Sequence, residues 1–130
     1  MRPALFLAPL LFLSCAHAPP AREAGRVEHV VLVWLKEPGN AAHRAELLEA
    51  AYGLTSIPGI VHAYAGPPLR SMRPEVDDSF DVALVFVFRD AAALEAYQSH
   101  PLHVQAVAEA LAPRAARFLV YDFVESPPAD

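Results

Sequence analysis

The amino-acid sequence predicts an α+β domain, an antiparallel sheet carrying its helices on one face. Three observations lead there. Four short runs dense in Val, Ile, Phe and Tyr have the length and composition of strands. Two segments rich in Ala and Leu, with helical spacing, follow the first and the third run, so the chain order is βαββαβ. A length of 130 residues, 55% apolar and 19% charged, is enough for one domain with its own core.

The domain follows a tether. Pro19 to Arg26 has two adjacent prolines and no apolar period, so residues 15–26 read as a linker and the domain as 27–124. In Val27 to Lys36 (VEHVVLVWLK), Val27, His29, Val31, Val33 and Leu35 share one face and Val30, Leu32 and Trp34 the other. A strand apolar on both faces is covered on both. Glu37-Pro38-Gly39 stops it, Asn40 can cap the next segment, and Leu47, Ala51 and Leu54 at i, i+4 and i+7 predict a helix from Ala41 to about Thr55. Gly53 inside it costs about 1 kcal/mol relative to alanine and leaves its far end open.

Ile57-Pro58-Gly59 is a turn, Ile60 to Ala65 a second strand, and Gly66 to Ser79, with three prolines, a loop. Phe80 to Phe88 is the strongest strand, with Phe80, Val82, Leu84, Phe86 and Phe88 on one face. Asp90 caps a helix from Ala91 to about Ser99. The residue before a proline is pushed out of the helical region, so this helix breaks near His100. Pro101 suits the first position of a new helix, predicted to run to about Ala112, before Pro113. Arg117 to Val124 (RFLVYDFV) is the fourth strand, and 125–130 a tail.

This order is the ferredoxin-like split βαβ arrangement. Because both sheet faces are apolar, the face without helices needs its own cover, and a second copy packed sheet to sheet is the simplest; a homodimer is expected.

Composition excludes several functions. Ten Lys and Arg stand against 15 Asp and Glu, a net charge of -5, and Lys36 is the single lysine, so no basic stripe exists to bind nucleic acid. With one cysteine no intrachain disulfide can form. No Gly-rich phosphate loop is present, and Cys15 lies outside the domain, which therefore has no thiol nucleophile. Residues 1–14 have the architecture of a secretion signal: a positive end at Met1-Arg2, then a ten-residue apolar run from Ala4 to Leu13, too short to span a bilayer. Cleavage before Cys15, as in a lipoprotein box formed by Phe12-Leu13-Ser14-Cys15, would leave Cys15 to be diacylated and anchor the chain to a bacterial membrane. Cleavage after Ala18, releasing a soluble secreted or periplasmic protein, is the second reading, and a retained segment the third.

Four stretches taken together resemble the stress-responsive dimeric α/β barrel (Dabb) family: Val27 to Lys36, Ile57-Pro58-Gly59-Ile60, Phe80 to Val85, and Leu94-Glu95-Ala96-Tyr97-Gln98-Ser99-His100-Pro101-Leu102-His103. The resemblance spans about Val27 to Val124. It implies a ferredoxin-like fold whose sheets form a barrel across a dimer, and it implies no single activity. The best understood relative, a plant polyketide cyclase, closes a linear tetraketide by aldol condensation without a cofactor. Its catalytic histidine and tyrosine fall in the same motif, and carried over by position they are His103 and Tyr97; the strand-one and His-Pro histidines are His29 and His100, which the resemblance makes candidate substrate-binding residues.

The residues themselves allow that chemistry. Imidazole has an ordinary pKa of about 6.5, so His103 can serve as a base near neutral pH. Tyr97 can donate to a developing enolate or alkoxide. The alternatives are that His103 orients the following helix and that Tyr97 is core. His100, at the helix break, is expected to be structural. His29 either looks into the barrel toward His103 or His100, or looks at the helices as a satisfied core histidine. His62 and Tyr64 alternate on strand two and can line the same cavity or stand exposed. His29, His100 and His103 have no nearby carboxylate or thiolate to complete a metal site, so no metal or other cofactor is expected. Asp77-Asp78 reads as a solvated turn, and Asp122 in strand four has no partner by spacing. The sequence expectation is thus an exported, lipid-anchored dimeric barrel that binds a small apolar molecule, with cofactor-free cyclase-, lyase- or isomerase-type chemistry on it, or else a non-catalytic barrel.

Overall fold

Strand formation follows the apolar runs. In the computed structural model, which describes residues 25–126, β1 is Val27–Leu35, β2 Ile60–Gly66, β3 Val82–Phe88 and β4 Ala115–Val124. The expected signal segment, Cys15 and most of the tether lie outside the described residues. The strands form one sheet in the order β2-β3-β1-β4 with every neighbouring pair antiparallel, the ferredoxin-like topology. Helix α1 is Ala41–Gly53 and α2 Ala91–Gln98; α3, Pro101–Ala106, runs on through a π-helical stretch, Val107–Leu111, into a last turn, α4, Ala112–Arg114.

Register decides which face each residue takes, because directly paired residues project to the same side. Val31 pairs with Leu84 and Val120, and His29 with Phe86 and Asp122. The odd-numbered residues of β1 and the even-numbered ones of β3 therefore meet the helices, where Val33, Val82 and Phe88 are fully buried together with Leu47 and Ala51 of α1 and Leu94 and Tyr97 of α2. The opposite face carries Val30, Leu32 and Trp34 beside Leu119, Tyr121 and Phe123 of β4, and these three remain 41%, 55% and 54% exposed.

Capping behaves as the side chains predict. Asn40 accepts from the N–H groups of Ala42 and His43 at 3.0 Å. Asp90 accepts from Ala93 at 2.8 Å, and this bond, with the Arg89 guanidinium, holds its carboxyl below the usual carboxylate range. At Gly59 φ is +95°, and an added Cβ would sit 2.5 Å from the Ala93 Cβ, so glycine both makes the turn and lets β2 start against α2.

Four boundaries differ from the sequence expectation. α1 ends at Gly53, followed by a 3₁₀ turn, Leu54–Ser56. β3 starts at Val82, not Phe80, because Asp81 is drawn into the loop after β1. Its main-chain N–H donates to Val33 O at 2.8 Å, while its carboxylate accepts from Leu35 N at 2.8 Å and Gly39 N at 2.7 Å. Phe80 instead stands edge-on to Trp34. Pro113 does not stop the last helix. Its missing N–H would have paired with Glu109 O, and the Arg114 guanidinium takes that carbonyl at 2.8 Å and Ala110 O at 3.0 Å. Lys36 Nζ then binds the carbonyls of Ala112 and Pro113, and β4 begins at once, at Ala115.

Candidate active site

A proline creates the site. His100 is extended, as a residue before proline should be, and it caps α3 by accepting Leu102 N–H on its ring Nδ1 at 3.3 Å. Leu102 N–H is thereby diverted from Gln98 O, the carbonyl one helical turn back. The freed carbonyl of Gln98 is met by His103 Nδ1 at 3.0 Å. A carbonyl oxygen only accepts, so Nδ1 of His103 carries the hydrogen, and in the neutral ring the lone pair lies on Nε2. The helix break thus sets a tautomer.

His29 is oriented in the same way from the opposite wall. Its Nδ1 lies 2.6 Å from Asp122 Oδ1 across the β1–β4 pair. An ionised carboxylate only accepts, so His29 also donates from Nδ1 and keeps Nε2 for other work. Between the two imidazoles stands Tyr97, 2% exposed, its ring 4.2 Å from that of His103 and 5.9 Å from that of His29 by centroids. Phe88 and Phe86 close its other sides, at 4.9 and 5.8 Å. Burial raises the Tyr97 pKa far above the ordinary value, so the phenol keeps its proton. Among the described residues none hydrogen-bonds its hydroxyl, nor Nε2 of either histidine.

These groups line one chamber of about 60 Å³ whose walls include His29, Val31, Leu84, Phe86, Tyr97 and His103. The chamber lies between the sheet and the helices of one protomer, not between two sheets. That resolves the position of His29, which looks at the helices and still meets Tyr97. His100 is not brought in; it serves the helix cap. His62 and Tyr64 are exposed on the opposite face. Among the described residues, no three His, Cys, Asp or Glu side chains gather as a metal site.

Asp122 is the group that sequence spacing does not reveal, because 93 residues separate it from His29. A usable signal exists nonetheless. Each of these two apolar strands carries a polar residue on its helix-facing side, and once β1 and β4 are neighbours the two polar residues belong opposite each other. The arrangement can do acid/base chemistry: two acceptor nitrogens and one protonated phenol around an apolar space.

The family model described as the stress responsive A/B barrel domain matches residues 27–125. No curated protein matches the chain in sequence. Among solved structures, a dabb family protein with a ferredoxin-like fold from Mesorhizobium loti is 29% identical, covers 79% of this chain and 99% of its own, and has a TM-score of 0.64. A dimeric ferredoxin-like protein from Jannaschia is 26% identical over 76% of this chain and 98% of its own, with a TM-score of 0.63. The hydroxynitrile lyase of Passiflora edulis is 16% identical over 83% of this chain and 100% of its own, with a TM-score of 0.70, a likeness of fold alone.

Proposed function

The chain belongs to the stress responsive A/B barrel domain (Dabb) family, and from that premise we propose that it is a homodimeric barrel protein that binds a small apolar carbonyl compound and moves a proton on it without a cofactor. The observation that carries this reading is the Tyr97 side chain, 2% exposed, whose hydroxyl no described residue hydrogen-bonds and whose ring packs against two imidazoles that both keep Nε2 free. In the proposed step, Nε2 of His103 takes a proton from the carbon next to the carbonyl. The C–H electron pair becomes the enolate C=C bond, and the carbonyl oxygen gains charge under the donated hydrogen bond of Tyr97. The enolate then recovers a proton or attacks a second carbonyl, as in a cyclase or lyase. His29, oriented by Asp122, is a second base or a donor to the ligand. The lyase from Passiflora supports the reading only in that this fold carries an enzyme.

Dimerisation is supported by the apolar, half-exposed sheet face and by the dimeric relative. The test of the chemistry is exchange of the α-protons of cyclohexanone in heavy water. The proposal expects exchange above the buffer rate together with thermal stabilisation by the ketone. A ketone that neither stabilises nor exchanges contradicts it. Stabilisation without exchange favours the non-catalytic reading, to which the small chamber volume lends weight.

Export belongs to the same proposal and rests on the apolar run before Phe12-Leu13-Ser14-Cys15. Mass spectrometry of the mature protein should find a diacylated Cys15 at its new N-terminus. A mature chain that begins at Pro19 rules the anchor out in favour of the soluble exported form, and an unmodified Cys15 still in the chain rules out the lipid anchor.

A further inference from the structure

The chamber adjoins a groove of about 390 Å³ between α1 and the helix formed by α3 and the π-helical stretch. Ala50, Leu54, Ala106 and Ala110 line both spaces, a sill of small or apolar side chains between them. The chamber alone, at about 60 Å³, is too small for more than the reacting end of a ligand, so the remainder must lie over this sill.

The rim of the groove is acidic. Glu46, Glu49 and Glu109 stand around it with a single cation, Arg114. Its two terminal nitrogens are already committed, to the Glu46 carboxylate and to the carbonyls of Glu109 and Ala110, and only its buried Nε lacks a partner. Three carboxylates against one engaged guanidinium leave a net negative field at the mouth, which adds to the net charge of -5 on the whole chain. An acidic rim alone would say little. It gains meaning because the space beyond the sill ends on Tyr97, a polar side chain 2% exposed whose hydroxyl no described residue satisfies.

We propose that this groove is the entrance to the chamber and that its acidic rim makes the site selective for uncharged apolar carbonyl compounds, ketones or aldehydes, against carboxylates of the same shape. The inference rests on the ligand-binding reading of the chamber given above. An anion crossing the rim meets like charge, and the one guanidinium there is already charge-paired with Glu46, whereas an uncharged ligand meets no such repulsion and buries its apolar part against the alanines of the sill.

The test uses two probes of similar shape, cyclohexanone and cyclohexanecarboxylate, titrated into the full-length protein at low salt while the ring signals of His103 are followed by NMR. The wild type should bind the ketone about tenfold more tightly than the carboxylate. The double variant Glu49→Lys with Glu109→Lys, both exposed positions, should raise carboxylate affinity by about tenfold, leave the ketone unchanged, and lose the gain as salt shortens the screening length. Equal affinities in the wild type, unmoved by charge reversal, would overturn the filter and leave the chamber as a ligand site. If neither probe moves the His103 signals, the filter and the reading beneath it both fall.

Discussion

Replacing His103 with alanine is expected to lower the rate of α-proton exchange in bound ketone by about 100-fold or more, the usual worth of a positioned general base. Stability should fall by only about 1 kcal/mol, since what is lost is one exposed ring-to-carbonyl hydrogen bond and one aromatic contact. The pairing of a large kinetic effect with a small thermodynamic one is what separates a working base from a helix-orienting residue. Tyr97→Phe sharpens the comparison. The ring and its contacts with Phe86, Phe88 and His103 stay, and no hydrogen bond to a described residue is lost, so stability should hold while exchange drops by roughly 100-fold for the missing oxyanion donor. Denaturation midpoints and exchange rates on the same samples decide the matter. A His103→Ala protein that unfolds readily yet exchanges normally when folded would assign the residue to structure.

Asp81→Ala is expected to destabilise the domain by about 3 kcal/mol. The Asp81 side chain is 6% exposed and its two carboxylate oxygens accept from Leu35 N and Gly39 N. Alanine would leave the buried Leu35 N–H unpaired at the junction where β1 turns toward α1, at a cost of about 1 to 3 kcal/mol, and would release the Gly39 N–H of the exposed turn at a smaller one. Asn retains one acceptor and opposes the second N–H with its own, so it should recover only part of the loss. Urea titration measures this directly. A loss below about 1 kcal/mol would mean that water replaces the carboxylate at no cost and that the junction is not held as described.

The fold was legible in the sequence because its signals are local. Alternating apolar residues marked the strands, Asn40 and Asp90 marked helix starts, and Pro101 marked the break that carries the site. Pro113 misled for a reason that is not local: the carbonyl it strands is rescued by Arg114 and the helix end is held by Lys36 from across the fold. Phe80 misled because periodicity cannot see that the neighbouring Asp81 is needed by Leu35 and Gly39.

The same division runs through the site. Tyr97 and His103 could be paired from the sequence, six residues apart around one proline. Whether His29 joins them could not, since both faces of β1 are apolar and parity alone does not say which one meets the helices. Asp122 depends on the register of two strands that lie at opposite ends of the chain. The position of the chamber, inside one protomer, follows from helix packing, which no pattern along β1 encodes.

Infrared difference spectroscopy of carbonyl-labelled cyclohexanone on the protein measures whether the unpartnered Tyr97 hydroxyl takes up the proposed ligand carbonyl. The C=O stretch should be lowered on binding to the wild type by the donated hydrogen bond, and should return toward its value in apolar solvent in Tyr97→Phe. The same frequency in both proteins, with the ketone bound in each, would contradict it.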